Sequence, residues 1–272
     1  MRRKSDGRED QTDDGCERGC ARDRDHAARL DLIARAIGVS PQLCDDCDVK
    51  ATDVARQERQ ELCDLFLETG PEAATLCRGW TTRDLAAHLI VRESRPDAAL
   101  GILIKPLSGY AASIQTKVAR RPWPELVRDV RTGPPLLSVF RLPGAQGLAD
   151  PFEFAVHHED VRRAQPGWSP RAVPVAEQDV LWQRLARAGR LLARSSPVGV
   201  ALRRSDTGEM VIAKSGTPSV TLIGEPLELV LRLYGRSECV VEVEGPEEAV
   251  ARFEAASSGS SETLCSPLTS LT

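Results

Sequence analysis

From residue 52 to residue 195 the apolar positions recur at three- and four-residue intervals, the period of an amphipathic helix. Leu62, Leu65 and Phe66 make the first stripe, with Asp53 placed to cap it and Gly70-Pro71 to stop it. Leu85, His88, Leu89 and Arg92 share one face of a second helix, which Thr81 or Thr82 caps and Pro96 ends or kinks. Residues 110–119 read as a third, and Pro124 opens a short helix running to Arg131. Residues 133–147, rich in proline and glycine, read mainly as a loop. A helix over 151–164, capped by Asp150, closes at Gln165-Pro166-Gly167. A longer one covers 175–195 with Val180, Leu181, Leu185, Ala188, Leu191 and Leu192 inward. This succession predicts a bundle of at least four helices.

After Pro197 the period drops to two. Residues 198–204, 210–214, 219–223 and 239–243 read as short strands, and 226–234 and 246–256 as helices, a small α+β unit. The expected class is mainly α: a helical bundle over 51–196 followed by an α+β domain over 197–256. Residues 1–50 read as a charged, disordered leader. Within it 1–25 carry almost no large apolar side chain, and only 26–39 (Leu30, Leu32, Ile33, Ala36, Ile37) have the pattern of an isolated helix. Residues 257–272 are polar and aperiodic and read as a disordered tail.

Composition narrows the function classes. The chain of 272 residues is 41% hydrophobic and 28% charged, with a net charge of -4, so nucleic acid and anionic membrane surfaces are not its expected partners. No apolar run approaches the ~18 residues a bilayer span needs, and the N-terminus lacks the apolar core of a secretory signal. A cytoplasmic protein with reduced thiols is expected from this, eight cysteines notwithstanding. Cys16-x3-Cys20 and Cys44-x2-Cys47 have a spacing loosely suited to a four-thiolate zinc site, but their polar surroundings favour incidental cysteines.

The chemistry concentrates in Glu153-Phe154-Ala155-Val156-His157. At helical spacing Glu153, His157 and Asp160 form one stripe. Phe154 and Val161 flank it on one side, Phe152 and Val156 on the other, so the stripe points into the protein, where a charge needs a partner. Glu153 and His157 with the inward His88 would make a three-ligand site with an open position, suited to Zn²⁺ among divalent ions. Asp160, one turn beyond His157, would orient a ligand imidazole or become a further ligand. A plainer reading has His88 bonded to a carbonyl in the core and Glu153 paired with Arg92 across the bundle. His158 projects about 100° from His157 towards the polar side with Arg162 and reads as solvated, and His26 lies in the leader.

The run Trp80-Thr81-Thr82-Arg83-Asp84-Leu85-Ala86-Ala87-His88-Leu89, followed by Glu153-x3-His157-x2-Asp160, resembles the mycothiol-dependent maleylpyruvate isomerase family, of the DinB-like group of metal-binding helical bundles. Within it the chain looks closest to an uncharacterised actinobacterial branch of metal-binding proteins. The resemblance covers about residues 52–256. It implies a DinB-like bundle that binds zinc through His88, Glu153 and His157, a smaller C-terminal α/β domain, and mycothiol as cosubstrate. It leaves the substrate-binding arginine unassigned among Arg203, Arg204 and Arg232, each of which also reads as a solvated surface charge. The activity implied is isomerisation or S-transfer on a small electrophile, with the metal lowering the pKa of a bound low-molecular-weight thiol. Two other readings stand beside it: a metal-dependent hydrolase, for which His158 or Asp160 would have to supply the base, and a non-catalytic, metal-stabilised binding module.

Overall fold

Glycines and threonines punctuate the helices. In the computed structural model, which describes residues 45–94, 108–133 and 151–264 (side chains for 51–94, 109–133 and 152–257), α1 (Asp45–Thr69) ends at Gly70, whose φ of 80° suits only glycine and whose N–H returns to Phe66 O at 3.0 Å. The helix starts at Asp45 rather than at an Asp53 cap, and Ala51 and Ala55 are already buried. Thr81 caps α2 (Thr82–Ser94): its carbonyl takes the Leu85 N–H, while Asp84 accepts the Thr81 N–H at 3.0 Å and hydroxyl at 2.9 Å. Residues 85–91 of α2 are all buried, so this helix is enclosed on every side. Next come α3 (Ser108–Ala119) and α4 (Trp123–Thr132), the latter with proline in its first turn and Gly133 at its end. α5 (Pro151–Arg163) and α6 (Val175–Leu192, extended by a 3₁₀ turn at Ala193–Ser195) complete the helical part.

The C-terminal part is a four-stranded sheet in the order β2-β1-β3-β4, built from β1 (Gly199–Arg204), β2 (Met210–Lys214), β3 (Ser219–Gly224) and β4 (Glu242–Glu244). β1 pairs antiparallel with β2 and parallel with β3, and β3 pairs antiparallel with β4. α7 (Pro226–Leu233) and α8 (Glu247–Leu264) pack on it. β4 is shorter than the alternation over 239–243 predicted, because the Val240 N–H donates to the Glu228 carboxylate at 2.7 Å instead of to a neighbouring strand. α8 runs past residue 256, into the stretch expected to be a disordered tail.

Two apolar cores result, and α5 belongs to both. Phe154 and Val161 join Leu62 and Phe66 of α1, Leu85 and Leu89 of α2 and Leu126 of α4. Phe152, Ala155 and Val156 join Leu181 and Leu185 of α6, Leu202 and Leu222 of the sheet and Leu229 of α7. α6, which its period placed with the bundle, thus contributes its buried side chains to the layer against the sheet. One residue expected inward on it, Leu191, is 60% exposed. No helix among the described residues is long and apolar enough to cross a membrane. Cys16, Cys20 and Cys44 of the leader, its 26–39 helix, His26, Pro96, the 134–147 part of the Pro/Gly-rich loop and the Asp150 cap lie outside the described residues, and Cys47 falls on the backbone of α1.

Candidate metal centre

Because α5 is wedged between two cores, the stripe left between its apolar flanks is forced inward. Glu153 Oε1 lies 3.4 Å from His88 Nε2 and 3.4 Å from His157 Nε2. All three donor atoms fall within 4.8 Å of one another. The imidazole rings meet edge-on, their centroids 5.6 Å apart, and the Trp80 indole leans on the other side of His88 at 5.0 Å. Contacts of 3.4 Å are long for hydrogen bonds, whose usual length is about 2.9 Å. They fit a tetrahedral ion instead: with bonds of ~2.0–2.1 Å its donors stand about 3.4 Å apart. The donor set, two imidazole nitrogens and one carboxylate oxygen, is one that Zn²⁺ accepts.

The protonation states agree with that use. Burial, which disfavours charge, lowers the His88 pKa and keeps its imidazole neutral. Burial alone would raise the Glu153 carboxyl, but the Arg92 charge and the two imidazoles outweigh it and hold the group well below the usual carboxylate range. Arg92 Nε touches the same oxygen, Oε1, at 3.4 Å. The plainer pairing of Glu153 with Arg92 is therefore present together with the convergence of both imidazoles. His157 is fixed through its other nitrogen: Nδ1 lies 2.9 Å from Asp160 Oδ2. With Asp160 ionised, Nδ1 is the donor, and a neutral ring then turns the Nε2 lone pair towards Glu153 and His88.

Asp160 is fully buried and its charge is met by Arg236, a residue that no sequence motif singled out. Arg236 Nε and Nη2 grip Oδ1 and Oδ2 at 2.8 and 2.6 Å. Burial would raise the Asp160 carboxyl, yet Arg236 and His157 hold it at about 2. Gly235, with φ at 81°, turns the chain out of α7 so that Arg236 can face back to α5. No periodicity marks such a residue; only the need of an inward Asp160 for a cation could have prompted the search. Cys77, buried beside it, donates its thiol to Asp160 Oδ2 at 3.3 Å. Cys77, His157 and Asp160 also form a metal-like constellation, but Arg236 Nη2, near both Asp160 and the Cys77 sulfur (3.6 Å), supplies the cation there.

His158 is not solvated as its direction suggested. It is buried, with Nδ1 2.7 Å from Glu58 Oε2 on α1. α1 carries acidic residues on the face that α5 covers, and Glu58, not solvent, receives that side of α5. Glu58, Glu61 and His158 form a third metal-like group, and again an arginine occupies it: Arg171 bonds Glu58, reaches Glu61 at 3.5 Å, Glu159 at 2.9 Å and Glu177 at 3.4 Å. The three arginines weighed as substrate-binding residues pair elsewhere. Arg203 meets Glu244, Arg232 meets Glu254, and the buried Arg204 meets Asp179 and Asp206.

No family profile and no curated protein matches the sequence. Two solved structures match in three dimensions, both of the mycothiol-dependent maleylpyruvate isomerase. The crystal structure of a histidine-to-alanine mutant superposes with a TM-score of 0.50 at 13% identity, over 74% of this chain and 95% of that one. The other crystal structure covers the same shares at 14% identity and a TM-score of 0.49. At such identity the likeness speaks for the fold alone: this chain shares, distantly, the fold of the mycothiol-dependent maleylpyruvate isomerase.

Proposed function

We propose that the chain is a cytoplasmic, zinc-dependent thiol enzyme, a remote relative of the mycothiol-dependent isomerases, built on a DinB-like metal-binding bundle. His88, Glu153 and His157 would hold the ion, leaving one position for a low-molecular-weight thiol, with mycothiol the first candidate. The observation that supports this reading is the convergence of two buried imidazoles on the Glu153 carboxylate, each 3.4 Å from Oε1, with all three donor atoms within 4.8 Å of one another. The ion, when bound, lowers the pKa of the thiol so that it coordinates as thiolate. The protein's own part is to keep both imidazoles neutral and aimed. Burial keeps the His88 ring neutral, and Asp160, held by Arg236, aims the His157 ring through its Nδ1. The thiolate would add to an electrophilic carbon of a small substrate, ending in isomerisation after thiol release or in a stable S-conjugate.

Hydrolysis ranks below this because the two bases available to it are engaged: His158 on Glu58, and Asp160 between Arg236 and His157. The test has two steps. Elemental analysis of the purified protein is expected to give one zinc per chain, lost on His88→Ala. Calorimetry with mycothiol in two buffers of different ionisation enthalpy is expected to show one proton released per thiol bound to the metal-loaded protein. Equal binding to the metal-free protein, or none to the loaded one, overturns the thiol reading.

A further inference from the structure

Arg92 lies one turn after His88 on α2, and its Nε contacts Glu153 Oε1 at 3.4 Å. That oxygen is the one both imidazole Nε2 atoms face. A cation is thus held on the oxygen that points at the metal position. It also stands on the solvent side of the centre: the Arg92 side chain is 29% exposed, those of His88, His157 and Glu153 only 6%, 5% and 13%. Arg92 is the strongest charge drawing the Glu153 carboxyl down, and it disfavours a proton on His88 as well.

A positive charge in this place has opposite effects on the two species the site would take. It repels a divalent ion and competes with it for the lone pairs of Oε1. It attracts any anion that binds at the ion's remaining position, because that anion would then face two cations across a largely dry space. We propose that Arg92 is a positioning residue that trades metal affinity for anion affinity: it weakens retention of the divalent ion and strengthens binding of a thiolate next to it. The inference rests on the metal reading above and assigns to one side chain the balance between a tightly held ion and a readily bound thiolate. A clamp that merely kept Glu153 in place would act the other way, since its loss would loosen the site and weaken the metal.

The sign of the change therefore decides. Zn²⁺ is titrated into the chelator-stripped full chain, as wild type, Arg92→Met, Arg92→Gln and Arg92→Lys. 2-Mercaptoethanol is then titrated into the Co²⁺-loaded forms, read by the sulfur-to-cobalt absorption. Arg92→Met and Arg92→Gln, which both lack the charge while Gln keeps a hydrogen-bond donor, are expected to bind Zn²⁺ about tenfold tighter and the thiol about tenfold more weakly. Arg92→Lys should stay near wild type, and the differences should shrink as salt screens the partly exposed charge. Zinc affinity unchanged or reduced in both neutral variants overturns the inference while leaving the metal reading intact. So does tighter zinc with unchanged thiol affinity. A wild-type chain that takes up no metal overturns both.

Discussion

Glu177 at the start of α6 is a carboxyl that cannot share its surroundings with a second negative charge. Its Oε1 and Glu58 Oε1 both lie on Nη2 of Arg171. Burial, and then the adjoining Glu58, push Glu177 up to about 8 from 4.5, while Glu58, bonded to His158 and Glu177 and facing Arg171, is held at about 2 despite its burial. The native state therefore keeps a proton on Glu177 that the unfolded chain gives up. Its contribution to stability is complete below pH 4.5, falls as the pH rises to about 8, and is flat above that. Glu177→Gln keeps the hydrogen bond without the proton equilibrium. Denaturant unfolding across this range should show the variant gaining on the wild type from pH 5 to pH 8; a difference independent of pH would contradict the shared proton. None of this was legible in the sequence. His88, Glu153 and His157 could be read because two of them lie on a helical stripe and the third on an inward face. His158 could not, because its surroundings come from α1, about a hundred residues upstream in the chain, and a helical wheel reports only direction.

α5 is legible in detail for the same reason. The rotation of about 100° per residue sorts Phe154 and Val161 to one side and Phe152 and Val156 to the other, and the structure assigns those pairs to two different cores. Elements whose borders depend on partners were read less well. β4 loses its first residues to the Glu228 carboxylate, and α6 presents a good helical period without saying which layer its stripe will cover. The two-core arrangement makes a specific demand on stability. Phe152 and Phe154 are each 1% exposed, so truncating either to alanine should cost about 3–5 kcal/mol by the usual cost of deleting a buried aromatic ring. If each core is rigid, either substitution also tilts α5 and lowers metal affinity, because Glu153 sits between the two rings. Loss of stability in both variants with unimpaired metal binding would show that the stripe is held by its polar partners alone.

At the scale of the whole molecule, two buried ion pairs join the sheet-bearing part to α5, Arg163 with Glu228 and Arg236 with Asp160. Arg236 follows α7, and Asp160 ends the stripe on α5. Arg236→Met leaves the buried Asp160 charge without its cation, a loss that typically costs about 3–5 kcal/mol. It should also weaken zinc binding, since Asp160 then lets the His157 ring turn; thermal unfolding and metal titration on the same variant check both. Asp160→Asn with Arg236→Met should recover much of the stability and none of the metal affinity. The order of the two parts was legible in the periodicity, but the Arg236–Asp160 bridge was not, because its ends stand 76 residues apart and neither lies in a pattern that names the other. That separation has a consequence for how the protein is made. On the ribosome His88, Glu153, His157 and Asp160 all emerge before Arg236 does, so a nascent or truncated chain carries the proposed ligands yet lacks the cation that holds Asp160 against His157. If the three residues hold zinc, a chain that ends before Arg236 should hold it more weakly than the finished one.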